Sequence, residues 1–189
     1  MVRELEAAYP SQYETEALLK DGSIIRLRPI RRDDCEQSLA LVSRLSPRAK
    51  YLRIHQVPRE TTIHNALRYC TVDYKNTFAI VAEVRREQRE EIVGLARYSR
   101  LPDKPSAEVA FAVQDDYQGR GIGTRLMEAL VKAALENGIT MFEAEVLMEN
   151  QEGMTIVQNY GFHVTAELEG GVYHVAFPIA PTRRAMKKE

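Results

Sequence analysis

Residues 108–124 read EVAFAVQDDYQGRGIGT, and this stretch decides the fold. Its first half alternates in the manner of a strand, and its second half carries three glycines at alternate positions. The next residues follow a helical period, with an apolar side that includes Ile122, Leu126, Leu130 and Ala133. A glycine turn between a strand and a helix gathers unpaired backbone N–H groups at the positive end of the helix. The stretch therefore predicts a cradle for a phosphate or pyrophosphate, although close packing of the helix on the strand would also call for glycines.

The chain continues from this helix into another strand. Gly138 ends the helix, and a strand-like run begins at Thr140 or Met141. A strand, a helix and a strand in succession form a crossover whose two strands run parallel, which places the cradle at the carboxyl end of the first strand. The glycine order does not match the dinucleotide-binding fingerprint, and no lysine precedes Thr124 as a P-loop requires. Glycine spacing alone leaves the phosphate ligand open.

The other segments predict a single mixed α/β domain. Residues 78–84 and 91–98 read as strands, and the polar linker Arg85–Glu90 between them predicts the turn of an antiparallel hairpin. Further strands are predicted at residues 23–28, 107–113, 141–147, 162–168 and 172–177. Helices are predicted from Asp33 or Asp34 to Leu45, from Thr61 or Thr62 to Cys70, and at residues 48–54, 121–137 and 152–159.

Length and composition indicate one domain over residues 1–189, and the segment from about 178 onward reads as a loose tail. Of the 189 residues, 44% are apolar and 28% are charged, which is typical of a soluble globular domain. The 26 basic and 27 acidic residues give a formal net charge of −1. This balance disfavours nucleic acid or an anionic membrane as a partner.

The cysteines and the N-terminus predict a cytoplasmic protein. Cys35 and Cys70 cannot build a disulfide framework and lack metal-ligand spacing, so we expect buried thiols and no metal site. Met1–Tyr9 carries charged residues where a secretion signal would need an apolar core. No apolar run approaches the roughly 18 residues that span a bilayer.

A resemblance makes the glycine turn more specific. Residues 118–123, QGRGIG, fit the (Gln/Arg)-x-x-Gly-x-(Gly/Ala) signature of the GNAT superfamily, the acyl-CoA-dependent N-acyltransferases. Asn150 before the next helix and Gly161-Phe162 after it resemble a second motif of that family, and Leu27–Arg31 followed by Asp33-Asp34 resembles its first strand and helix start. The resemblance covers about residues 21–177, which would form the core of the domain, and it implies a GNAT-like α/β (mixed α+β) fold. Its central sheet would be mostly antiparallel, a parallel crossover would form the acyl-CoA cleft, and helices would cover both faces.

Within the superfamily, several strings are similar to the acetyltransferase domain of bacterial protein lysine acetyltransferases. They are Leu19–Gly22, Leu45–Pro47, Tyr51–Arg53, Val72–Tyr74, Gly94–Tyr98 and Asp115–Gly121. In those proteins the domain is often fused to a nucleotide-binding or acyl-CoA-synthetase-like module. We expect no such module within these 189 residues.

Acyl transfer to an amine requires the amine to be neutral. A lysine of pKa about 10.4 is neutral only about once in 2,500 molecules at pH 7, so a general base near the amine is expected. Strand alternation places Glu108, Ala110 and Ala112 on one face, where the small side chains leave room for a ligand. The resemblance implies that Glu108 is the base, a role that partial burial would favour. The alternative for Glu108 is a solvated carboxylate on an open sheet face. Glu143 and Glu145, on one face of the following strand, are the alternatives, although solvated or ion-paired side chains are expected there.

The resemblance also implies where acetyl-CoA binds. The backbone of Ala112 and Val113 would pair with the pantetheine arm, and Asn150 would either touch that arm or cap its own helix. Many family members carry a tyrosine acid seven residues after this Asn, where the present chain has Val157, so no general acid is assigned. The pyrophosphate would be held by the backbone N–H groups of Gln118, Gly119, Arg120, Gly121, Ile122, Gly123 and Thr124.

These residues lead to a functional hypothesis with two alternatives. The chain is expected to transfer an acetyl group from acetyl-CoA to a primary amine, foremost a protein lysine, by direct attack and without an acyl-enzyme. An acyl-CoA synthetase is one acceptor protein to consider, and the enzyme would be a monomer or a homodimer. The alternatives are acetylation of a small amine and a non-catalytic role as an acyl-CoA sensor.

Overall fold

The computed structural model describes residues 8–54, 70–86, 89–159 and 163–179. Eight strands in this part of the chain form one sheet in the order β1-β2-β3-β4-β5-β6-β8-β7. Neighbours are antiparallel except β5 and β6, which run parallel as the crossover predicts. The strands are β1 Thr15–Leu18, β2 Ile24–Pro29, β3 Thr77–Arg86, β4 Arg89–Arg100, β5 Ser106–Val113, β6 Met141–Leu147, β7 Thr165–Glu169 and β8 Val172–Pro178.

The described helices are α1 Cys35–Arg44, α2 Pro47–Ile54, α3 Ile122–Glu136 and α4 Gln151–Asn159. Short 3₁₀ turns at Arg32–Asp34 and Asp115–Tyr117 precede α1 and α3, and a further one lies at Ser11–Tyr13. The helix predicted before Cys70 lies outside the described residues, apart from Cys70 itself.

The main differences from the sequence prediction concern the hairpin of β3 and β4 and strand β1. The linker predicted at Arg85–Glu90 is mostly strand, because β3 runs to Arg86 and β4 begins at Arg89. Arg85 lies directly opposite Glu90 in this ladder, and opposite charges in such a pair favour continued pairing. Strand β1 was not predicted, since its four residues, TEAL, lack strand-like alternation.

The two faces of the sheet carry separate cores. Helix α3 packs against β3, β4 and β5 and buries Ile122, Leu126 and Leu130 in the larger core. Helix α1 covers the opposite face, where Leu41 packs with residues of β3 and β4. Helices on both faces of a mixed sheet confirm the predicted fold class.

Glycine 94 on β4 allows α3 to approach the sheet closely. A Cβ atom at this position would lie 3.2 Å from Ile122 Cγ2 and 3.2 Å from Leu126 Cδ1. Both contacts are tighter than ordinary van der Waals packing, so a larger side chain would push the first turn of α3 outward. That turn forms the last part of the predicted cradle.

A buried ion cluster ties the first strands to α1. The Arg28 guanidinium donates to both Asp34 carboxylate oxygens, at 2.6 and 2.7 Å, and also to Glu83 on β3. All three side chains are at most 5% exposed. Burial lowers the pKa of Arg28, but the hydrogen bonds to Asp34 and Glu83 outweigh this and raise the pKa overall. Removal of either charge type would therefore leave an uncompensated ion in the protein interior.

Candidate active site

The turn between β5 and α3 presents a row of free backbone donors. Gly119 and Gly121 have φ of +73° and +96°, values that L side chains rarely adopt, so these two positions need glycine. Helix α3 then begins at Ile122, and Gly121 provides no side-chain cap. Within the described residues, no acceptor takes the N–H groups of Gly119 to Thr124. The predicted donor set also included the Gln118 N–H, but this group donates to the Asp115 carbonyl at 3.1 Å and is not free. Together with the helix dipole, these donors form a concave site for an anion.

The third glycine has a different role. Gly123 lies inside the first turn of α3, and a Cβ there would lie 2.7 Å from Ile156 Cδ1 on α4. The close-packing interpretation therefore holds for Gly123, which allows α3 and α4 to approach each other, whereas Gly119 and Gly121 shape the turn.

The polar residues before the glycines hold the turn in place. The buried side chain of Gln114 accepts a hydrogen bond from Arg44 Nε at 2.9 Å, and the Gln118 side-chain amide donates to the Val113 carbonyl at 2.9 Å. Asp115 accepts from the Ser46 hydroxyl at 2.5 Å and from the Ser46 N–H at 2.9 Å. These two hydrogen bonds lower the pKa of Asp115 below its usual value. The turn is thus fixed to the N-terminus of α2 before any ligand binds.

Tyr117 and Arg120 add a second set of contacts. The Tyr117 ring is buried, and its hydroxyl accepts a hydrogen bond from Arg86 Nε at 3.0 Å. The Arg120 guanidinium lies 5.0 Å from the ring centroid, donates to the Asp116 carbonyl at 2.7 Å and pairs with Asp21 at 3.0 Å. Of the predicted cofactor-binding residues, Arg120 can therefore contribute its backbone, while its side chain is engaged outside the cradle.

A groove of about 830 Å³ joins the cradle to the end of β5. It has the size of a small-molecule site. The predicted residues that line it are Ala112, Val113, Gln118, Gly119, Gly121, Ile122, Gly123, Thr124 and Asn150.

Sequence reasoning missed one wall of this groove. Helix α2 contributes Arg48, Ala49 and Leu52, and the turn between β1 and β2 contributes Lys20. Residues 48–54 were predicted as a helix, and Lys20 was noted only within a string that resembles the family, but neither was assigned to the site. A clue was present in Ser46-Pro47, which suits a helix start: the Ser46 hydroxyl accepts the Ala49 N–H at 3.1 Å.

The sheet opens beside the groove. Parallel pairing of β5 with β6 covers only Ser106–Glu108 against Met141–Glu143, although both strands continue. From Val109 to Val113, β5 pairs with β4 on one side, and no strand of the described residues pairs with it on the other. The two strands thus separate in the shape of a V. Within the V, the unpaired edge of β5 offers its backbone N–H and C=O groups to an extended ligand.

Glu108 lies at the vertex of this V, directly beside Glu143. It lines a second concavity of about 370 Å³ on the sheet face away from α3, together with Glu143, Glu145, Glu167 and His174. Glu108 is exposed rather than partly buried, which agrees with the alternative of a solvated carboxylate on an open sheet face. Its backbone still pairs with Glu143 on β6, so the exposure arises because the side chain lines an open concavity on this face.

Asn150 and Val157 bear on the remaining predictions. The Asn150 side chain accepts the Gly153 N–H at 3.0 Å, so it caps α4, and it also lines the groove. Val157 is buried in the larger core. The motif residues Gly161 and Phe162 lie outside the described part of the chain. Of the two alternative bases, Glu145 has its Oε1 atom 3.6 Å from His174 Nδ1. This agrees with the expectation of an ion-paired side chain at Glu145.

A comparison with known families identifies this architecture. Residues 46–162 match the model of the acetyltransferase (GNAT) family. The chain belongs to this family. The resemblance recognised from residues 118–123 is thereby confirmed, as is the expectation of an acetyltransferase at the level of the family.

Individual relatives agree with this assignment. An acetyltransferase of Pseudomonas aeruginosa is 32% identical over 120 residues, which cover 64% of the present chain. Acetyltransferase Pat of Mycolicibacterium smegmatis is 34% identical over 145 residues, which cover 76% of it. The matches span 64% and 42% of these two relatives' own lengths. The crystal structure of the GNAT domain of S. lividans PAT superposes with a TM-score of 0.81 at 30% identity, covering 90% of this chain and 99% of that domain.

The described residues contain no group of three or more His, Cys, Asp or Glu side chains arranged to hold a metal ion. No helix within residues 8–54, 70–86, 89–159 and 163–179 is both long and apolar enough to cross a membrane.

Proposed function

We propose that this GNAT-family chain transfers the acetyl group of acetyl-CoA to a lysine side chain of an acceptor protein. The observation that carries the proposal is the V between β5 and β6, which has an anion cradle beyond its open end and Glu108 at its vertex. Acetyl-CoA is the acyl donor that the family uses. The strings similar to bacterial protein lysine acetyltransferases favour lysine as the acceptor.

Acetyl-CoA fits the groove in an extended form. Its pyrophosphate would accept hydrogen bonds from the N–H groups of the cradle, and its pantetheine arm would lie along the open edge of β5 at Ala112 and Val113. Glu108 precedes Ala112 by four residues, so it lies about 13 Å from Ala112 towards the N-terminal end of β5. An extended pantetheine arm is long enough to carry the thioester towards it.

Glu108 would act on the acceptor amine. Its carboxylate takes one proton from the lysine ammonium, and the neutral nitrogen attacks the carbonyl carbon of the thioester. The C–N bond forms, the C–S bond breaks, and the second amine proton passes to the leaving thiolate through water. Water can serve here because a thiol with pKa near 8.5 is a tolerable leaving group. The reaction therefore does not require a tyrosine acid at position 157, where this chain has Val157. The amine and the thioester react directly, and no acyl-enzyme forms.

The negative charges in the concavity of about 370 Å³ that Glu108 lines favour a cationic acceptor. Glu108, Glu143, Glu145 and Glu167 all line it, with His174 facing Glu145. A lysine ammonium that enters meets carboxylates from β5, β6 and β7. Acceptor selection would then depend on this local field, since the formal net charge of the whole chain is only −1.

An acceptor screen with thiol detection tests the proposal. Acetyl-CoA is supplied with candidate lysine-containing proteins, acyl-CoA synthetases first, and in parallel with polyamines, amino acids and amine drugs. Thiol release is expected with a protein acceptor and not with the free amines. Turnover of free amines alone would show that the acceptor is a small amine and not a protein. Calorimetric binding of acetyl-CoA without turnover on any acceptor would favour a non-catalytic sensor.

The substitution Gly121→Ala tests the role of the cradle in acetyl-CoA binding. An alanine at φ +96° is expected to lower the free energy of unfolding by about 1–2 kcal/mol and to displace the N–H groups around it. Gly138→Ala is the matched control, because Gly138 has φ +75° and open space around it but lies at the far end of α3. Calorimetry should show weaker acetyl-CoA binding for Gly121→Ala and unchanged binding for Gly138→Ala. Equal affinities in the two variants would contradict the assignment.

A further inference from the structure

The turn between β1 and β2 lies against the glycine cradle. The Lys20 N–H donates to the Arg120 carbonyl at 3.2 Å, which joins this turn to the centre of the glycine sequence. The Lys20 side chain runs past Gly121, because a Cβ built on that glycine would lie 3.8 Å from Lys20 Cγ and 3.9 Å from Lys20 Cε. Lys20 also lines the groove that contains the cradle.

The turn is held in this position by its own contacts. Asp21 pairs with Arg120 at 3.0 Å, and its other carboxylate oxygen accepts the N–H and the hydroxyl of Ser23 at 3.0 and 2.5 Å. Gly22 has φ +82°, which closes the turn tightly. Lys20 is therefore placed by a fixed backbone rather than by a free loop.

The Lys20 ammonium remains available for a ligand. Within the described residues, no carboxylate or carbonyl oxygen accepts a hydrogen bond from it or forms an ion pair with it. The side chain of Arg120, which lies within the glycine sequence of the cradle, instead donates to Asp21 and to the Asp116 carbonyl. A cation beside a row of free N–H groups adds charge where the backbone supplies only dipoles.

We propose that Lys20 binds a phosphate group of acetyl-CoA, so that the β1–β2 turn forms part of the cofactor site. This inference rests on the proposed function, because it assigns a residue to the same ligand. The chemistry shared by the two candidate groups is an anionic phosphate, which is either the pyrophosphate or the 3′-phosphate of the CoA moiety. Arg120 and Asp21 act as positioning residues, since they hold the turn on the cradle without facing the groove.

Calorimetric titration of Lys20→Met tests the assignment. The variant is expected to bind acetyl-CoA about 5- to 10-fold more weakly than the wild type, and Lys20→Arg should restore most of the affinity. Lys75→Met is the matched control, because Lys75 is an exposed lysine in the turn before β3 and does not line the groove. Its affinity for acetyl-CoA should equal that of the wild type.

Two shortened donors identify the phosphate. S-acetylpantetheine lacks all phosphates, so Lys20→Met should not change its binding. Acetyl-dephospho-CoA lacks only the 3′-phosphate. If Lys20→Met still binds this donor more weakly than the wild type does, Lys20 contacts the pyrophosphate; if the two affinities are equal, Lys20 contacts the 3′-phosphate.

The inference and the proposed function fail in different ways. Unchanged acetyl-CoA affinity in Lys20→Met, or an equal loss with S-acetylpantetheine, overturns the inference and leaves the proposed function intact. A wild-type chain that binds no acetyl-CoA overturns both.

Discussion

Replacing Glu108 by Gln is expected to lower kcat/KM for acetyl transfer to a lysine by about 10²- to 10⁴-fold, the usual contribution of a general base. The amide keeps the size and polarity of the side chain but cannot accept the proton of the ammonium. Acetyl-CoA binding should be unchanged, because Glu108 lies at the vertex of the V and not in the groove that contains the cradle. Steady-state kinetics over a range of pH, combined with calorimetry, measures both quantities.

Two further variants make this experiment specific. Glu143→Gln removes the carboxylate paired beside Glu108 on the neighbouring strand, and it is expected to have a much smaller effect on kcat. Glu128→Gln removes an exposed carboxylate on α3 that pairs with Arg125 at 2.9 Å, and it should leave the rate unchanged. A large loss in Glu143→Gln with full activity in Glu108→Gln would transfer the role of the base to β6.

The largest effect on stability is expected from Arg28→Met. This change leaves the Asp34 and Glu83 carboxylates buried without their counter-charge, which should lower the free energy of unfolding by about 3–5 kcal/mol. Arg28→Lys should lose less than Arg28→Met, because lysine keeps the charge but cannot form the two-pronged contact with Asp34. Urea denaturation followed by circular dichroism gives these values.

Arg26→Met provides the matched control on the same strand. Arg26 pairs with Glu14 at 2.8 Å and with Glu90 at 3.5 Å, but its side chain is 37% exposed. A solvent-exposed ion pair of this kind typically contributes about 0–1 kcal/mol. Equal losses of stability in Arg26→Met and Arg28→Met would mean that burial does not set the energetic role of the cluster.

The elements that the sequence predicted are those with local signals. The alternation of residues 107–113, the glycines at 119 and 121 and the helical period after them lie within one short stretch. The parallel crossover follows from chain direction alone, so the relation of β5 to β6 could be predicted without any long-range contact. The family signature lies in the same stretch.

The features that the sequence did not predict arise from contacts between distant segments. Asp21 and Arg120 are 99 positions apart, and no periodicity links them, so the place of Lys20 at the cradle could not be inferred. Side-chain alternation places Glu108 on one face of β5 but does not encode how open that face is, so the exposure of Glu108 could not be decided from the sequence. For the same reason, helix α2 was predicted as an element but not as a wall of the groove.

The most direct test of the central claim follows the acetyl group itself. The chain is incubated with acetyl-CoA that carries an isotopic label in its acetyl group and with a purified acceptor protein, and peptide mass spectrometry then locates the label. The account predicts labelled acetyl-lysine in the acceptor with the wild-type chain and a loss of labelling rate with Glu108→Gln. Label that stays on acetyl-CoA with every acceptor, or that reaches lysine equally fast with Glu108→Gln, would contradict it.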